Sequence, residues 1–231
     1  VYYSEGKPYI NTVVNIHGND TINTRLLIDT GAALGLLLHN DTHPSLTLPE
    51  KTIKGSLGKG LSGDIVGYLG RINSFKLGKY KFERLVTYYQ EYDKFLFGDS
   101  SMIKRNGIIG TYLLDRFSLV FDQTRSNLYI KAYKNYNKKF KYDKSGIVVF
   151  ATGKNLNEFV INDVIEGSPA YIAGVKPGDK ILKIGWFFTS SSLTLEKINS
   201  IFAGKTGKKI KLKVLRNGEK IKLEFILKEL L

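Results

Sequence analysis

The chain has 231 residues, 42% of them apolar, and this length suggests one large domain or two modest ones. The apolar fraction is too high for a disordered chain, and the absence of cysteine excludes disulfides and thiolate chemistry. The formal charge of +14 predicts a solvated basic surface and leaves open nucleic acid, anionic lipid or acidic protein as partners. The longest apolar runs fall short of the roughly 18 residues of a membrane span, so we expect no transmembrane segment.

Strands should dominate the structure, because 14 tyrosines and 13 phenylalanines accompany frequent Val, Ile and Thr. In the first part of the chain, apolar patterning predicts strands at 9–16, 25–29, 34–38, 71–77 and 80–89. A short helix is predicted after the NGIIG stretch at 106–110, followed by the strands SLVFD and NLYIKAY. The fold class predicted for the whole chain is therefore mainly β.

The pattern changes after about residue 140, where two strands precede a short helix that Ser168 caps and Pro169 begins. An amphipathic helix then ends near Gly204, and Asn217-Gly218 predicts a type I′ hairpin turn. We therefore predict two domains, at residues 1–140 and 141–231.

The densest basic segment, KAYKNYNKKFKYDK from Lys131 to Lys144, lies across this boundary. Its interleaved Tyr and Phe resemble the stacking residues of single-strand nucleic-acid binders. Its position at the domain boundary favours a solvated linker instead. We therefore expect no nucleic-acid partner and keep nucleic-acid binding as a minor alternative.

The sequence LLIDTGA places Asp29 directly after an apolar strand and in a glycine turn. A charge there is unfavourable unless backbone N–H groups and the Thr30 hydroxyl point at the carboxylate, which is the geometry that a catalytic carboxylate needs. A single Asp-Thr-Gly occurs by chance in many chains, so this tripeptide alone also fits an aspartate that only begins a turn.

With its flanking residues, this stretch resembles the Asp-Thr-Gly-Ala/Ser element of retroviral and pepsin-like aspartic proteases. Ile108-Ile109-Gly110 resembles the paired hydrophobics and glycine that pack behind the catalytic loop in that family, and Val120-Phe121-Asp122 resembles the end of a pepsin lobe. The resemblance covers roughly residues 1 to 132. It implies a closed β-barrel lobe with a catalytic element made of Asp29, Thr30 and Gly31, and with Ala32 at the substrate.

Enzymes of this family need two carboxylates across one water molecule, because such a pair shares a proton. This chain has one Asp-Thr-Gly, and Asp99-Ser100-Ser101, the nearest imitation, lacks the glycine. The second aspartate must then come from a symmetry mate or from another lobe. The start at Val1, the likeness to a second lobe and the following domain favour a missing lobe, so we expect the chain to be a piece of a longer protein.

The glycine-rich segment GKGLSG at 58–63 lies where the family has its flap, a hairpin that closes over bound peptide. The resemblance makes Gly58, Gly60, Leu61 and Ser62 substrate-binding residues. A surface hairpin without a catalytic part is the alternative, and it gains weight if this is a second lobe.

Residues 145 to 231 resemble a PDZ domain of the type attached to bacterial proteases, most specifically in EGSPAYIAGVKPGDKILKIG. Such a domain is a small β-barrel with two helices. Ser145-Gly146-Ile147-Val148 falls where PDZ domains have a loop whose N–H groups capture a C-terminal carboxylate. Val148 replaces the second glycine of the usual Gly-Leu-Gly-Phe, which weakens the expectation of carboxylate capture. The alternative is a domain that only docks on the protease.

Together the two resemblances imply an aspartic endopeptidase in which Asp29 supplies one carboxylate and the PDZ domain recruits or gates peptide. The alternative is a non-catalytic module that binds peptides or assembles a complex. No cofactor is expected, and His17, His39 and His43 lack the spacing of a metal site. The expected partners are a peptide or protein substrate and a second lobe or homodimer mate. The likeness to bacterial family members implies export to the periplasm or cell surface.

Overall fold

The structure is a computed structural model that describes residues 1–18, 20–60, 63–91, 105–134, 136–185, 188–189 and 192–231. It contains two compact units. The first comprises residues 1–52 and 66–140 with Leu231, and the second comprises residues 53–65 and 141–230. The division of the sequence into domains at residues 1–140 and 141–231 stays a prediction.

The strands before residue 140 follow the apolar alternation of the sequence. They are β1 (Tyr2–Ser4), β2 (Lys7–Asn15), β3 (Ile22–Ile28), β4 (Leu36–His39), β5 (Thr52–Gly60), β6 (Gly63–Arg71), β7 (Ser74–Leu77), β8 (Tyr80–Glu83), β9 (Val86–Gln90), β10 (Gly107–Ile109), β11 (Phe117–Asp122) and β12 (Asn127–Ala132). Helix α1 (Thr111–Leu114) follows β10. The predicted strand at 80–89 is two strands, because Arg84 has a positive φ of 49° that ends β8.

Most of these strands form one mixed sheet in the order β5-β6-β9-β4-β10-β3-β2-β7-β8, with β1 paired to β2. The short strand β10 lies between β3 and β4, parallel to the first and antiparallel to the second. This register sets Ile109 opposite Ile28 and Leu36. The ends of β3 and β10 therefore meet at one edge of the sheet, where Asp29 follows.

The closed barrel expected from the resemblance is not found in the described residues, whose strand path ends at β5 and β8. Strand β8 has only four residues, and Lys81 and Glu83 form an ion pair of 2.9 Å on its exposed side. Short, charged strands are typical of protected sheet edges rather than of strands that pair on both sides. The mainly β class is confirmed, and barrel closure is not.

The basic segment after β12 is not a solvated linker, because its aromatic residues pack on the first unit. Tyr136 lies 5.1 Å from Tyr80 and 6.0 Å from Phe82 between ring centroids, and Phe140 lies 6.0 Å from Phe82. The Arg116 guanidinium stacks over Phe140 at 3.4 Å from the ring centroid. Burying large aromatic rings is favourable, so these residues extend the core up to the boundary.

The second unit contains the strands and helices of residues 147–226. They are β13 (Ile147–Thr152), β14 (Glu158–Val164), α2 (Pro169–Ile172), β15 (Lys180–Ile184), β16 (Phe188–Thr189), α3 (Leu195–Phe202), β17 (Lys209–Arg216) and β18 (Glu219–Ile226). The sheet order is β13-β14-β15-β17-β18, with β16 paired to β15. Here too the described strands form an open path, which leaves β13 at an edge with α3 packed against it.

Local predictions in this unit are confirmed. Asn217 and Gly218 have φ of 50° and 84°, as a type I′ turn requires. The Ser168 side chain accepts a hydrogen bond from the Tyr171 N–H at 3.2 Å and caps α2, with Pro169 at its first position. Among the described residues, no helix is long and apolar enough to cross a membrane.

Candidate active site

Asp29 follows β3 at the point where this buried strand leaves the sheet. Its backbone N–H donates to the carbonyl of Ile109 at 2.9 Å, so the end of β10 fixes the position of Asp29. The Gly31 N–H donates to Asp29 Oδ1 at 2.8 Å. The half-buried carboxylate is therefore oriented by its own turn and held at the end of a rigid strand.

The start of α1 holds the other side of the Asp29 loop. The Thr111 N–H and hydroxyl both donate to the Ala32 carbonyl, at 2.9 and 3.0 Å. Gly110 approaches so closely that a Cβ there would lie 2.4 Å from the carbonyl oxygens of both Ala32 and Leu34. The Ile-Ile-Gly motif thus packs behind the Asp29 loop, and its glycine is required by backbone contact.

Asp29 opens onto a cleft of about 440 Å³ in the first unit. Of the described residues that line this cleft, Asp29 alone is acidic. The lining residues are Tyr3, Gly6, Lys7, Pro8, Leu27, Ile28, Asp29, Thr30, Phe121 and Gln123. A single oriented carboxylate can accept a proton from water, but the lining supplies no second carboxylate to share that proton.

The other residues predicted for the protease site lie in three places. Thr30 and Gly31 are exposed beside Asp29, and Ala32 is half-buried with its carbonyl bonded to Thr111. Gly58 and Gly60 lie in β5, the partner of β6 in a hairpin, as the sequence predicted. Leu61 and Ser62 lie outside the described residues, and the flap role of the hairpin stays a prediction.

Sequence reasoning missed part of the cleft. Tyr3 and Pro8 belong to the β1–β2 hairpin, whose place beside Asp29 is a long-range feature of the sheet. Phe121 belongs to the Val-Phe-Asp motif, which the sequence analysis used only to identify the fold, and its side chain lines the Asp29 cleft. The sequence analysis also missed a contact that holds β3, the strand before Asp29. The side-chain oxygen of Asn106 accepts a hydrogen bond from the Arg25 N–H of this strand at 2.8 Å.

The ribbon of β11 and β12 continues from the cleft and carries apolar side chains on its open face. Val120 and Tyr129 are directly opposite in register and are 59% and 54% exposed. Phe121, beside Val120, lines the Asp29 cleft. Successive side chains of a strand point to opposite faces, so Phe121 faces the cleft, whereas Val120 and Tyr129 form an exposed apolar pair on the other face of the ribbon.

The second unit contains the predicted peptide-binding loop, Ser145 to Val148, at the start of β13. Three of its N–H groups donate to Oδ1 of Asp143: Ser145 at 3.0 Å, Gly146 at 2.6 Å and Ile147 at 3.3 Å. The Ser145 hydroxyl lies 3.0 and 2.9 Å from the two carboxylate oxygens of Asp143. The loop donors are thus directed at a carboxylate of the chain itself, a feature that the sequence analysis missed.

Burial raises the pKa of Asp143 to about 6, against the opposing effect of the hydrogen bonds from Gly146, Ser145 and Ile147. The neighbouring cation Lys144 is engaged elsewhere, in an ion pair of 2.8 Å with Glu229. The loop therefore binds Asp143 through backbone dipoles and a hydroxyl, in the manner of an anion-binding nest.

Two family models match the chain, one in each part of the sequence. The sequence model of the family described as "Aspartyl protease" matches residues 12–113, and that of the family described as "PDZ domain" matches residues 160–216. The 26S proteasome non-ATPase regulatory subunit 9 of Homo sapiens is 35% identical over 66 residues, which are 29% of this chain and 30% of that protein. The same subunit of Mus musculus is 32% identical over 66 residues. The chain thus spans less than a third of the length of these curated relatives.

Two solved structures are similar at low identity. A retropepsin-like aspartic protease from Rickettsia conorii is 21% identical, with a TM-score of 0.39, and the match covers 56% of this chain and 93% of that chain. The HtrA-type protease AlgW with decapeptide is 15% identical, with a TM-score of 0.36, and the match covers 99% of this chain and 82% of that one.

Proposed function

Since the chain carries a retropepsin-like aspartyl protease domain at residues 12–113 followed by a PDZ domain at residues 160–216, we propose that it is part of an aspartic endopeptidase. Asp29 supplies one carboxylate of the catalytic pair, and the PDZ domain binds peptide segments and recruits or gates substrate. The observation that carries this proposal is the oriented, half-buried carboxylate of Asp29 at the mouth of an open cleft.

In the proposed reaction, an ionised carboxylate of the pair takes a proton from water while the water oxygen attacks the carbonyl carbon of the peptide bond. The other carboxyl group gives its proton to the carbonyl oxygen, and a tetrahedral diol forms. The diol then collapses, the C–N bond breaks, and the leaving nitrogen takes a proton from the pair. No acyl-enzyme forms, so one oxygen of the new carboxylate comes from the attacking water.

The second carboxylate comes from a second protease lobe or from a second copy of the chain. Two observations support a covering partner of either kind. Thr30 and Gly31 are exposed directly beside Asp29, and Phe121, which lines the same cleft, is 36% exposed. A partner that buries this surface would bring its own aspartate to the same cleft.

The experiment is digestion of a defined peptide mixture in H₂¹⁸O, first by the 231-residue chain and then by any longer natural form, with products identified by mass. The proposal expects internal cleavage with one ¹⁸O in each new carboxylate, and no acyl transfer to added hydroxylamine. Asp29→Asn should keep the wild-type melting curve and lower turnover by about 10³-fold or more, because an amide cannot accept the proton from water.

Asp122→Asn is the matched control, since Asp122 ends β11 and its side chain caps the following turn through the Arg125 N–H at 3.0 Å. It removes one carboxylate from the same unit and should leave turnover unchanged. Near wild-type turnover in folded Asp29→Asn would overturn the assignment.

The second candidate function is a non-catalytic module that binds peptide. It is favoured by the cleft itself, whose described lining contains a single carboxylate. An absence of cleavage by every assembled form, together with peptide binding, would establish this candidate instead. Export to the periplasm or cell surface is proposed on the family likeness alone, and fractionation of cells that produce the protein would test it.

A further inference from the structure

The PDZ loop of this chain is already occupied. A C-terminal carboxylate captured by such a loop accepts hydrogen bonds from its backbone N–H groups. Here Oδ1 of Asp143 accepts from Ser145, Gly146 and Ile147, at 2.6 to 3.3 Å. The Ile147 N–H is also 3.1 Å from the Ser145 hydroxyl oxygen. The internal carboxylate therefore takes the place of the carboxylate of a ligand.

The loop is fixed in this shape by its neighbours. Gly146 has a φ of 82°, and a Cβ there would lie 2.2 Å from Cβ of Ser168. Its carbonyl accepts from the Ile165 N–H at 2.8 Å, and the Ser145 carbonyl accepts from the Ala170 N–H at 3.0 Å. A second carboxylate would have to displace Asp143 or approach the same donors beside a like charge, and both are unfavourable.

Strand β13 is an edge of the described sheet, and α3 packs against it. Beyond the loop, β13 continues from Val148 to Thr152 as an end strand of the described sheet, where the main chain of an extended ligand can add as a further strand. Such pairing needs no chain terminus.

We propose that this PDZ domain binds internal segments of polypeptide by strand addition at β13, and that Asp143 excludes recognition of a C-terminal carboxylate. This inference rests on the proposed peptide-binding function and names its ligand class. It means that the domain presents loops or extended segments of intact substrates to the protease, and that it does not select the new C-termini made by cleavage.

The test uses the 231-residue chain and an array of ten-residue peptides, each made with a free C-terminus, with a C-terminal amide, and extended by five residues at both ends. Binding is measured for each version by fluorescence anisotropy. The inference expects the three versions of a bound peptide to agree within about threefold in Kd. A preference of about tenfold or more for the free acid would overturn it and leave peptide binding intact. Failure of every version to bind would overturn the peptide-binding function itself, and the inference with it.

Substitution of Asp143 provides the second measurement. In Asp143→Ala the loop donors are vacated, so we expect an acid-over-amide preference of about fivefold or more to appear. Acetate at about 50 mM should raise the melting temperature of this variant relative to chloride at equal ionic strength, because acetate binds the vacated donors only in the folded state.

Wild type and Glu166→Ala should show neither effect, since Glu166 is an exposed carboxylate of the same unit. Asp143→Asn keeps an acceptor oxygen in the loop, and it tests the proposal if the alanine variant does not fold. It should bind the acid and amide peptides equally, as wild type does. Equal effects of acetate on all variants, or an acid preference in Asp143→Asn, would overturn the proposal.

Discussion

A methyl group on the Cα of Gly110 would lie 2.4 Å from the carbonyl oxygen of Ala32, well inside contact distance. The Ala32 carbonyl cannot move away from the added methyl group without strain, because it also accepts two hydrogen bonds from Thr111. We therefore expect Gly110→Ala to lower the free energy of unfolding by about 3 kcal/mol and to displace the Asp29 loop.

Gly35→Ala is the matched control for this prediction. Gly35 lies in the same loop region, its carbonyl accepts from the Gly110 N–H at 3.1 Å, and the nearest atom to an added Cβ is 3.8 Å away in Phe140. Its substitution should cost less than about 1 kcal/mol. Urea unfolding of both variants measures the difference, and equal stability of the two would contradict the close-contact role of Gly110.

Much of the fold could be predicted from local sequence. The strands of the second unit follow clean alternation, and Asn217-Gly218 can adopt the positive φ angles of its turn with little strain. The Asp29 loop was also predictable, because the Asp-Thr-Gly stretch and the Ile-Ile-Gly stretch each carry a fixed structural requirement. These features depend on neighbouring residues, which a sequence displays directly.

Other features depend on long-range contacts, and the sequence did not indicate them. Tyr136 and Phe140 stand among lysines, so composition suggested a solvated segment, whereas their rings pack on a distant aromatic cluster. The closed barrel was inferred from resemblance, and only the pairing of end strands could decide it. Asp143 precedes Ser145-Gly146 by the spacing of a side-chain-capped turn, and this local signal was available but was overlooked.

The ribbon beside the Asp29 cleft gives a prediction on assembly. If a second copy covers the cleft, Phe121→Lys should weaken self-association by about tenfold or more, because a charge would be buried in the contact between the copies. Peptidase activity of the wild-type chain should then fall on dilution. Ile172→Lys in α2, at a site 73% exposed in the second unit, should change neither quantity.

Sedimentation and activity measured on the same samples separate the two sources of the second carboxylate. An inactive wild-type monomer that becomes active only in a longer natural form would assign it to another lobe. Dilution-sensitive activity would assign it to a second copy.

Reversing the charge of one lysine in a row of three on the sheet of the second unit should change the stability of that unit. Lys213 on β17 is directly opposite Lys183 on β15 and Lys222 on β18. Like charges at directly opposed positions are destabilising, so Lys213→Glu should raise the free energy of unfolding by about 1 kcal/mol at low salt. The gain should shrink as salt screens the new pairs. Lys154→Glu, in the exposed turn before β14, makes the same charge change without these neighbours. An equal gain in stability for Lys154→Glu would show that repulsion within the lysine row is not the cause.

His39 should make the first unit sensitive to acid. Burial lowers the pKa of His39 from 6.5 to about 4, with a smaller contribution in the same direction from Arg105 and opposing ones from Asp41 and the Gln90 backbone. Between pH 6.5 and about 4, the His39 ring is therefore protonated in the unfolded chain and neutral in the folded unit. Stability is then fully present above pH 6.5 and falls as the pH drops through this window, by up to about 3 kcal/mol.

Urea unfolding of wild type and His39→Gln at pH 7.5 and 4.5 measures this loss, and the NMR titration of the His39 ring reports its protonation directly. The variant should lose less stability than wild type on acidification, because glutamine does not titrate. His17→Gln is the matched control, since the His17 ring is exposed to water and the substitution removes one histidine without opening the core. If His39→Gln kept the full pH dependence of wild type, the acid sensitivity would have to originate from other groups, and the burial of His39 would not be its cause.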